Sequence, residues 1–202
     1  MSTPPDDETI ALYDARAAEY ADTVSEPEPP ARLLAFIESL PARGRVLDLG
    51  CGPGNAAATM AAAGLEIDAV DASAGMVAVA RARHGIAARQ GSFADLDPPY
   101  HGVWANFSLL HAPRAEMPGH LARLHAALAP GGLLHIGLKT GTGARRDTLG
   151  RLYIYYTEAE IDALLAGAGF DIISRETGED TGFDGMPAAW AIHLAQKPGA
   201  AP

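Results

Sequence analysis

The sequence predicts an α/β fold built on a mostly parallel seven-stranded sheet, with helices on both faces and an antiparallel last strand. Three observations carry this. From residue 46 onward short apolar runs alternate with helical stretches, the alternation closes on two consecutive strands, and the first strand runs into a loop with glycines at 50, 52 and 54. Regular strand and helix alternation calls for a parallel sheet covered by its crossover helices, and two successive strands add an antiparallel member.

The elements follow in chain order. Ile10, Tyr13, Ala17 and Tyr20 recur at three- and four-residue spacing over Thr9–Tyr20, which predicts an amphipathic helix. Pro27, Pro29 and Pro30 break it, and Leu33, Leu34, Phe36, Ile37 and Leu40 suit a second helix. Val46–Leu49 reads as the first strand, Ala56–Ala63 as a helix ended by Gly64, and Leu65–Val70 as the second strand. Ser73 caps a helix running to Arg83, Ile86–Arg89 is a third strand, and Gly102–Phe107 a fourth. A helix over Glu116–Ala129 stops before Pro130, and Gly132–Leu138 is a buried fifth strand. The polar, Gly-rich stretch Thr140–Gly150 reads as a loop, a lid or a wall of the site. Thr157-Glu-Ala-Glu160 is a capping box, and its helix stops at Gly167 or Gly169 before strands over Phe170–Arg175 and Ala188–Ala195. One domain spans 1–202, with helices over 9–40 covering the site and residues 1–8 and 198–202 expected to be flexible.

Composition narrows the functional classes. With 15 Lys+Arg against 25 Asp+Glu the formal charge is −10, so the average field repels phosphate backbones and nucleic acid is a poor substrate. A small basic group at Arg145, Arg146 and Arg151 could hold a compact anion or simply be solvated. Cys51 is the only cysteine, which leaves no disulfide and no thiolate cluster, and the histidines lack convergent metal-ligand spacing. No apolar run reaches the ~20 residues of a membrane span, and the acidic start lacks the apolar centre of a signal peptide. A soluble cytoplasmic protein is expected; monomer and homodimer stay open.

The glycine loop lets a ligand approach the backbone closely. The dinucleotide pattern would need a third glycine at 55, where Asn55 stands, and Asp48 precedes Gly50 by two residues. That carboxylate would repel a pyrophosphate, whereas it would attract an ammonium or sulfonium group. Asp71 ends the second strand 21 residues after Gly50, near the spacing at which an acid reaches ribose hydroxyls; its other reading is a cap for the next helix.

Val46-Leu-Asp-Leu-Gly-Cys-Gly-Pro-Gly54, Val70-Asp-Ala-Ser-Ala-Gly-Met-Val77, Gly91-Ser-Phe-Ala-Asp95 and Leu128-Ala-Pro-Gly-Gly132 together resemble the ordered motifs of class I S-adenosylmethionine (SAM)-dependent methyltransferases. The resemblance implies a Rossmann-like fold with SAM as cofactor and S-adenosylhomocysteine as product. It implies that Asp48, Gly50, Gly52 and Gly54 hold the amino-acid end and Asp71 the ribose, with Ala72 also in the cofactor site. Met76 then packs nearby, Ser92 and Phe93 flank adenine, and Asn106 lies near the methyl group. The family often has Asp where Ser92 stands, and Asp95 is a possible substitute. Tyr13 and Tyr20 match a Tyr-Asp…Tyr opening found in small-molecule methyltransferases, where this helix covers the cofactor.

Trp104-Ala-Asn-Phe-Ser-Leu-Leu-His-Ala-Pro-Arg114 is similar to a stretch in methyltransferases related to tellurite-resistance enzymes. By that resemblance Phe107, His111, Arg114, Lys139, Arg145 and Tyr156 face the acceptor, with His111 as a general base or, equally, a hydrogen-bonding helix-end residue. Methyl transfer to a small acceptor by in-line displacement is the leading reading. A SAM-binding scaffold without turnover and an NAD-dependent oxidoreductase remain as alternatives.

Overall fold

The computed structural model describes residues 6–24 and 28–199; Pro27 and the outermost residues of both expected flexible ends lie outside that range. Helix α1 (Asp7–Thr23) starts at Asp6, whose carboxylate accepts the Thr9 N–H at 3.1 Å and so satisfies one of the helix's unpaired donors. Asp6 also pairs with Arg146 at 2.8 Å. Residues 6–8 are therefore fixed parts of the fold, against the expectation of a frayed start. Helix α2 (Ala31–Glu38) follows Pro30 at its N-cap.

The remaining elements are β1 (Arg45–Leu49), α3 (Asn55–Ala62), β2 (Glu66–Asp71), α4 (Ala74–His84), β3 (Arg89–Gln90) and β4 (Tyr100–Asn106). They continue as α5 (Met117–Ala127), β5 (Leu128–Lys139), β6 (Ala144–Arg146), β7 (Leu152–Ile154), α6 (Glu158–Gly167), β8 (Asp171–Thr181) and β9 (Pro187–Gln196). Seven strands form one sheet in the order β3-β2-β1-β4-β5-β9-β8. Only β9 runs antiparallel, pairing with β5 on one side and β8 on the other. The predicted architecture holds.

Alternate residues of the central strands feed opposite faces, as expected of a sheet covered on both sides. Leu47 and Leu49 of β1 and Val103 and Ala105 of β4 pack with Leu121 and Leu124 of α5 and Ile161 and Leu165 of α6. Val46 and Trp104, pointing the other way, pack with Leu33 and Phe36 of α2. On that face Ala69 meets Ala57 of α3 and Val77 and Ala80 of α4. Trp104 stacks on His135 at 3.5 Å between ring centroids.

Two local expectations change. The third strand is only Arg89–Gln90, because Gly85 closes α4 in a left-handed turn and Ala88 N–H turns back to the Ile86 carbonyl. The stretch expected as a loop over 140–150 contributes β6, which pairs with β7 as a separate antiparallel ribbon. This ribbon is bound to α1: the Leu152 N–H donates to Thr9 Oγ1 at 2.9 Å and Arg146 reaches Asp6.

Candidate active site

The chain reverses its direction of travel across the sheet between β1 and β4, and at such a point the carboxyl ends of the strands open a crevice. A cavity lies there. Its floor and walls include Gly50, Gly52, Asp71, Ala72, Met76, Ser92, Phe93, Asn106, Phe107 and His111, and α1 contributes Tyr13 and Tyr20 above it. These twelve residues were all singled out from the sequence, and the fold brings them to one place.

Both cavity-lining glycines sit in left-handed backbone, φ +72° at Gly50 and +52° at Gly52. A Cβ at Gly52 would meet nothing nearer than Tyr20 Cε1 at 4.0 Å, so it would project into open space in the cavity. Gly54 has a different purpose. It is the N-cap of α3, and a Cβ there would lie 2.9 Å from Ala80 Cβ, so its smallness lets α3 and α4 meet. Asn55 likewise serves the fold, donating to the Val24 carbonyl at 3.1 Å and bonding His84 at 3.0 Å.

Asp71 braces the loop. Its two oxygens accept the Gly52 and Ser73 N–H groups, each at 2.8 Å. The α4 cap is Ser73, whose hydroxyl oxygen accepts the Met76 N–H, so Asp71 does not cap that helix and still lines the cavity. Burial raises the Asp71 carboxyl, opposed by those two N–H groups. Asp14 of α1 accepts from the Ser73 hydroxyl at 2.6 Å and the Gly75 N–H at 2.9 Å, fastening α1 to α4.

Asp48 lies behind the loop rather than on the cavity wall, only 2 % exposed, and its Oδ2 has no hydrogen-bond partner among the described residues. Burial, and then the neighbouring Asp71 charge, push its carboxyl up to about 7 from 3.8. The native state therefore binds the proton more tightly than the unfolded chain. Stability from this group is greatest below pH 3.8 and is lost as pH rises toward about 7. Asp48→Asn is expected to stabilise the ligand-free protein by about 1–3 kcal/mol at pH 8, with the gain shrinking toward pH 5. Equal melting shifts at both pH values would refute this.

His111 is held by two fixed partners. Its Nδ1 lies 2.7 Å from the Leu152 carbonyl, which can only accept, so Nδ1 carries the proton and Nε2 accepts from the Tyr13 hydroxyl at 3.2 Å. Burial lowers its pKa to about 4. Of the two roles left open by the sequence, the hydrogen-bonding one is what this geometry displays, with the Nε2 lone pair turned to Tyr13. The Tyr13 hydroxyl in turn accepts from Arg151 at 3.1 Å, and Arg151 is paired with Asp147 at 2.6 Å.

The other acceptor-facing residues divide. Phe107 lines the cavity in left-handed backbone (φ 57°), its N–H donating to the Gly137 carbonyl at 3.0 Å. Arg114 and Tyr156 instead belong to a separate surface cleft, where Arg114 pairs with Glu160 at 2.8 Å, donates to the Tyr155 carbonyl and lies over the Tyr156 ring. Arg145 donates to the Tyr155 hydroxyl at 3.0 Å and is also off the cavity wall. With Arg146 on Asp6 and Arg151 on Asp147, two members of the basic group that the sequence left open to an anion or to solvent are turned to internal partners. Lys139 stands one ring behind the wall, its Nζ 3.8 Å from the centroid of Tyr153, which packs against His111 at 4.8 Å.

Residues 46–132 match the methyltransferase-domain family. The match covers the segment that carries the glycine loop, Asp71 and β4. Among curated relatives it is similar to trans-aconitate 2-methyltransferase of Methylobacterium nodulans, 40% identical over 130 residues, which is 62% of this chain and 50% of that protein. The chain thus spans about half the length of the curated relatives it matches. It shares its fold with the 1,6-didemethyltoxoflavin-N1-methyltransferase of Burkholderia thailandensis, solved with S-adenosylhomocysteine (TM-score 0.72, 22% identity, 98% of this chain and 93% of that one). It also resembles the magnesium protoporphyrin IX methyltransferase of Synechocystis PCC 6803, solved with SAM (TM-score 0.70, 20% identity, 98% and 100% covered).

Within the cavity the adenine-edge expectations separate too. Ser92 lines the cavity, but its N–H and O–H both go to Asp95 Oδ2, at 2.6 and 2.8 Å. Asp95 is exposed, turned onto its own loop and absent from the cavity wall, so it does not replace the family's acid there. The sequence reading missed Thr9, Ile10, Ser108, Glu116 and His120 as cavity-lining residues. Thr9 and Ile10 lie on the predicted helix face with Tyr13, a signal that could have found them; Glu116 read only as a helix start, and His120 was weighed only for metal-ligand spacing. Among the described residues no group of three or more His, Cys, Asp or Glu could hold a metal, and no helix is long and apolar enough to cross a membrane.

Proposed function

We propose that this methyltransferase transfers a methyl group from SAM to a small-molecule acceptor by in-line displacement, releasing S-adenosylhomocysteine. The observation that carries the reading is the pairing of Asp71 with an open glycine cradle at Gly50 and Gly52 under a roof made by α1. The residues fit the cofactor. Gly52 leaves space that a side chain would fill, and the half-buried Asp71 carboxylate, with the exposed Asp14 beyond it, gives this end a negative field suited to a cation.

In this reading Gly50 and Gly52 receive the amino-acid end, Asp71 and Ala72 the ribose, and Met76 and Phe93 the purine. SAM brings an already activated methyl group, so the chain's own residues need only bind, align and exclude water, and alignment can contribute about 7–11 kcal/mol. Asn106 and Phe107, leaving β4, sit where the acceptor's nucleophilic atom would be aligned. Tyr13 and Tyr20 close the roof. His111 and Arg151 hold the Tyr13 hydroxyl in place and so act as positioning residues. The names of the relatives put small carboxylic acids first in an acceptor panel. The net charge of −10 and the lone buried Cys51 support a small-molecule reaction in a reducing cytoplasm.

Two measurements test this. Titration calorimetry should show SAM and S-adenosylhomocysteine binding and no NADH binding. With SAM and an acceptor panel led by small carboxylic acids, S-adenosylhomocysteine should accumulate; tight SAM binding with no turnover on any acceptor would favour the scaffold reading. Asp71→Ala is expected to weaken S-adenosylhomocysteine binding by about 1.5–3 kcal/mol, roughly 10- to 150-fold, since it removes a charged acceptor. Unchanged affinity would remove the ribose role.

A further inference from the structure

The cavity end of β4 presents a hydrogen-bond donor whose direction is set from inside the core. Asn106, the last residue of β4, lines the cavity and is half-buried. Its backbone is held against β5: it pairs with Gly137, and the next N–H, that of Phe107, donates to the Gly137 carbonyl at 3.0 Å. The Asn106 side-chain oxygen faces His135 Nε2 at 3.0 Å. A Cβ at Gly137 would lie 2.9 Å from that oxygen, so the glycine is what lets the amide rest against β5.

An amide oxygen can only accept, so His135 carries its proton on Nε2 and donates it. The imidazole is 2 % exposed, stacked on Trp104 and edge-on to Phe36 at 6.4 Å. Burial, with the Arg32 charge beyond it, lowers its pKa to about 3, so the ring is neutral. With the oxygen turned inward, Asn106 Nδ2 points away from His135. It meets no partner among the described residues and is not closed off inside the protein, so its N–H groups face the cavity. A donor there sorts nucleophiles. An amine has a single lone pair, and a hydrogen bond to it would occupy the electrons that must attack the methyl carbon. A carboxylate accepts at one oxygen and attacks with the other, and it is already ionised at neutral pH, unlike a phenol. That matters in a cavity where His111 turns its Nε2 lone pair to Tyr13.

We propose that Asn106 selects a carboxylate as the methyl acceptor by donating to one of its oxygens, with His135 as the residue that positions the amide. This rests on the SAM reading above. The other carboxylate oxygen gives an electron pair to the methyl carbon, the carbon–sulfur bond breaks with its pair to sulfur, and a methyl ester forms beside S-adenosylhomocysteine with no proton to remove. The test gives the full chain SAM with succinate, fumarate and citrate, and in parallel with 1,4-diaminobutane and catechol, and reads S-adenosylhomocysteine release and the mass and alkali lability of the product. Alkali-labile methyl esters should form from the carboxylates. Asn106→Asp keeps an acceptor for His135 and replaces the donor by a negative charge. It should lower kcat/KM on the carboxylate by at least about 10-fold while S-adenosylhomocysteine affinity, from calorimetry, stays within about 3-fold. His135→Phe keeps the stack on Trp104 and should lose about 3- to 10-fold with the same selectivity, and His135→Gln, whose amide N–H can replace the imidazole donor, should recover part of that loss. A merely structural role would weaken S-adenosylhomocysteine binding alongside and would not be rescued. Release with none of the carboxylates, faster methylation of the amine or the phenol, or an Asn106→Asp protein that keeps wild-type kcat/KM or loses S-adenosylhomocysteine affinity in step overturns the assignment. Failure of the wild-type protein to bind S-adenosylhomocysteine at all would instead overturn the cofactor reading.

Discussion

Arg151→Met is expected to lower stability by about 3–5 kcal/mol, because it strips the cation from a buried ion pair and leaves the anion in place. Arg151 is 2 % exposed, and its Nε and Nη2 meet Asp147 Oδ2 at 2.7 and 2.6 Å. Asp147 keeps only the Leu149 and Arg151 backbone N–H groups after the change, with its side chain 5% exposed. The guanidinium also lies within 5.6 Å of the ring centroids of Tyr13, Tyr153 and Phe183, so the roof of the cavity loses a common anchor. In a domain of this size the midpoint of thermal unfolding should fall on the order of 6–20 °C. Neutralising the partner as well, in Arg151→Met with Asp147→Asn, should recover more than half of the loss, since an uncompensated buried charge is the main cost. A single variant within 1 kcal/mol of wild type in urea unfolding would show that water or rearrangement compensates Asp147.

Arg151 also marks where sequence reasoning stops. Local chemistry was legible: Ser73 caps α4, Thr157 and Glu160 form a capping box, and the strand and helix alternation specified the sheet order's parallel core. Those signals lie within a few residues of what they control. The fates of charged and titratable side chains depend instead on partners far along the chain. Arg146 and Asp6 are 140 residues apart, and His111 takes its hydrogen bond from Tyr13 across 98 residues. A run of arginines at 145, 146 and 151 therefore looked available for an anion, and His111 looked available for a proton, until their partners were known. Glu116 shows the reverse case. Its position at a helix start explained it well enough in sequence to conceal that the same turn faces the cavity. The motif residues proved more legible than their neighbours because a glycine loop and an acid after a strand carry chemistry that needs no distant partner to be recognised.

The glycines of that loop separate stability from binding, and two substitutions should show it. Gly50→Ala is expected to cost about 2–5 kcal/mol, from left-handed backbone (φ +72°) combined with overpacking. The new Cβ would lie 2.3 Å from Ser108 Cβ, where no rotamer change can relieve it, because both atoms sit directly on backbone. Gly50 N–H is meanwhile bound to the Val70 carbonyl at 2.8 Å, so the loop cannot retreat without breaking its attachment to β2. The chain leaving β4 must move, and with it the wall that holds Asn106 and Phe107. Gly52→Ala meets no such obstacle. Its Cβ has 4.0 Å of clearance to Tyr20, so the fold bears only the conformational strain at φ +52°, about 1–2 kcal/mol. Its methyl group instead occupies the cradle. Thermal unfolding and S-adenosylhomocysteine titration on the two proteins should therefore diverge, Gly50→Ala showing the larger loss of stability and Gly52→Ala a folded protein that binds at least about 10-fold more weakly. A Gly52→Ala protein with wild-type affinity would mean that the ligand does not approach the loop at that residue.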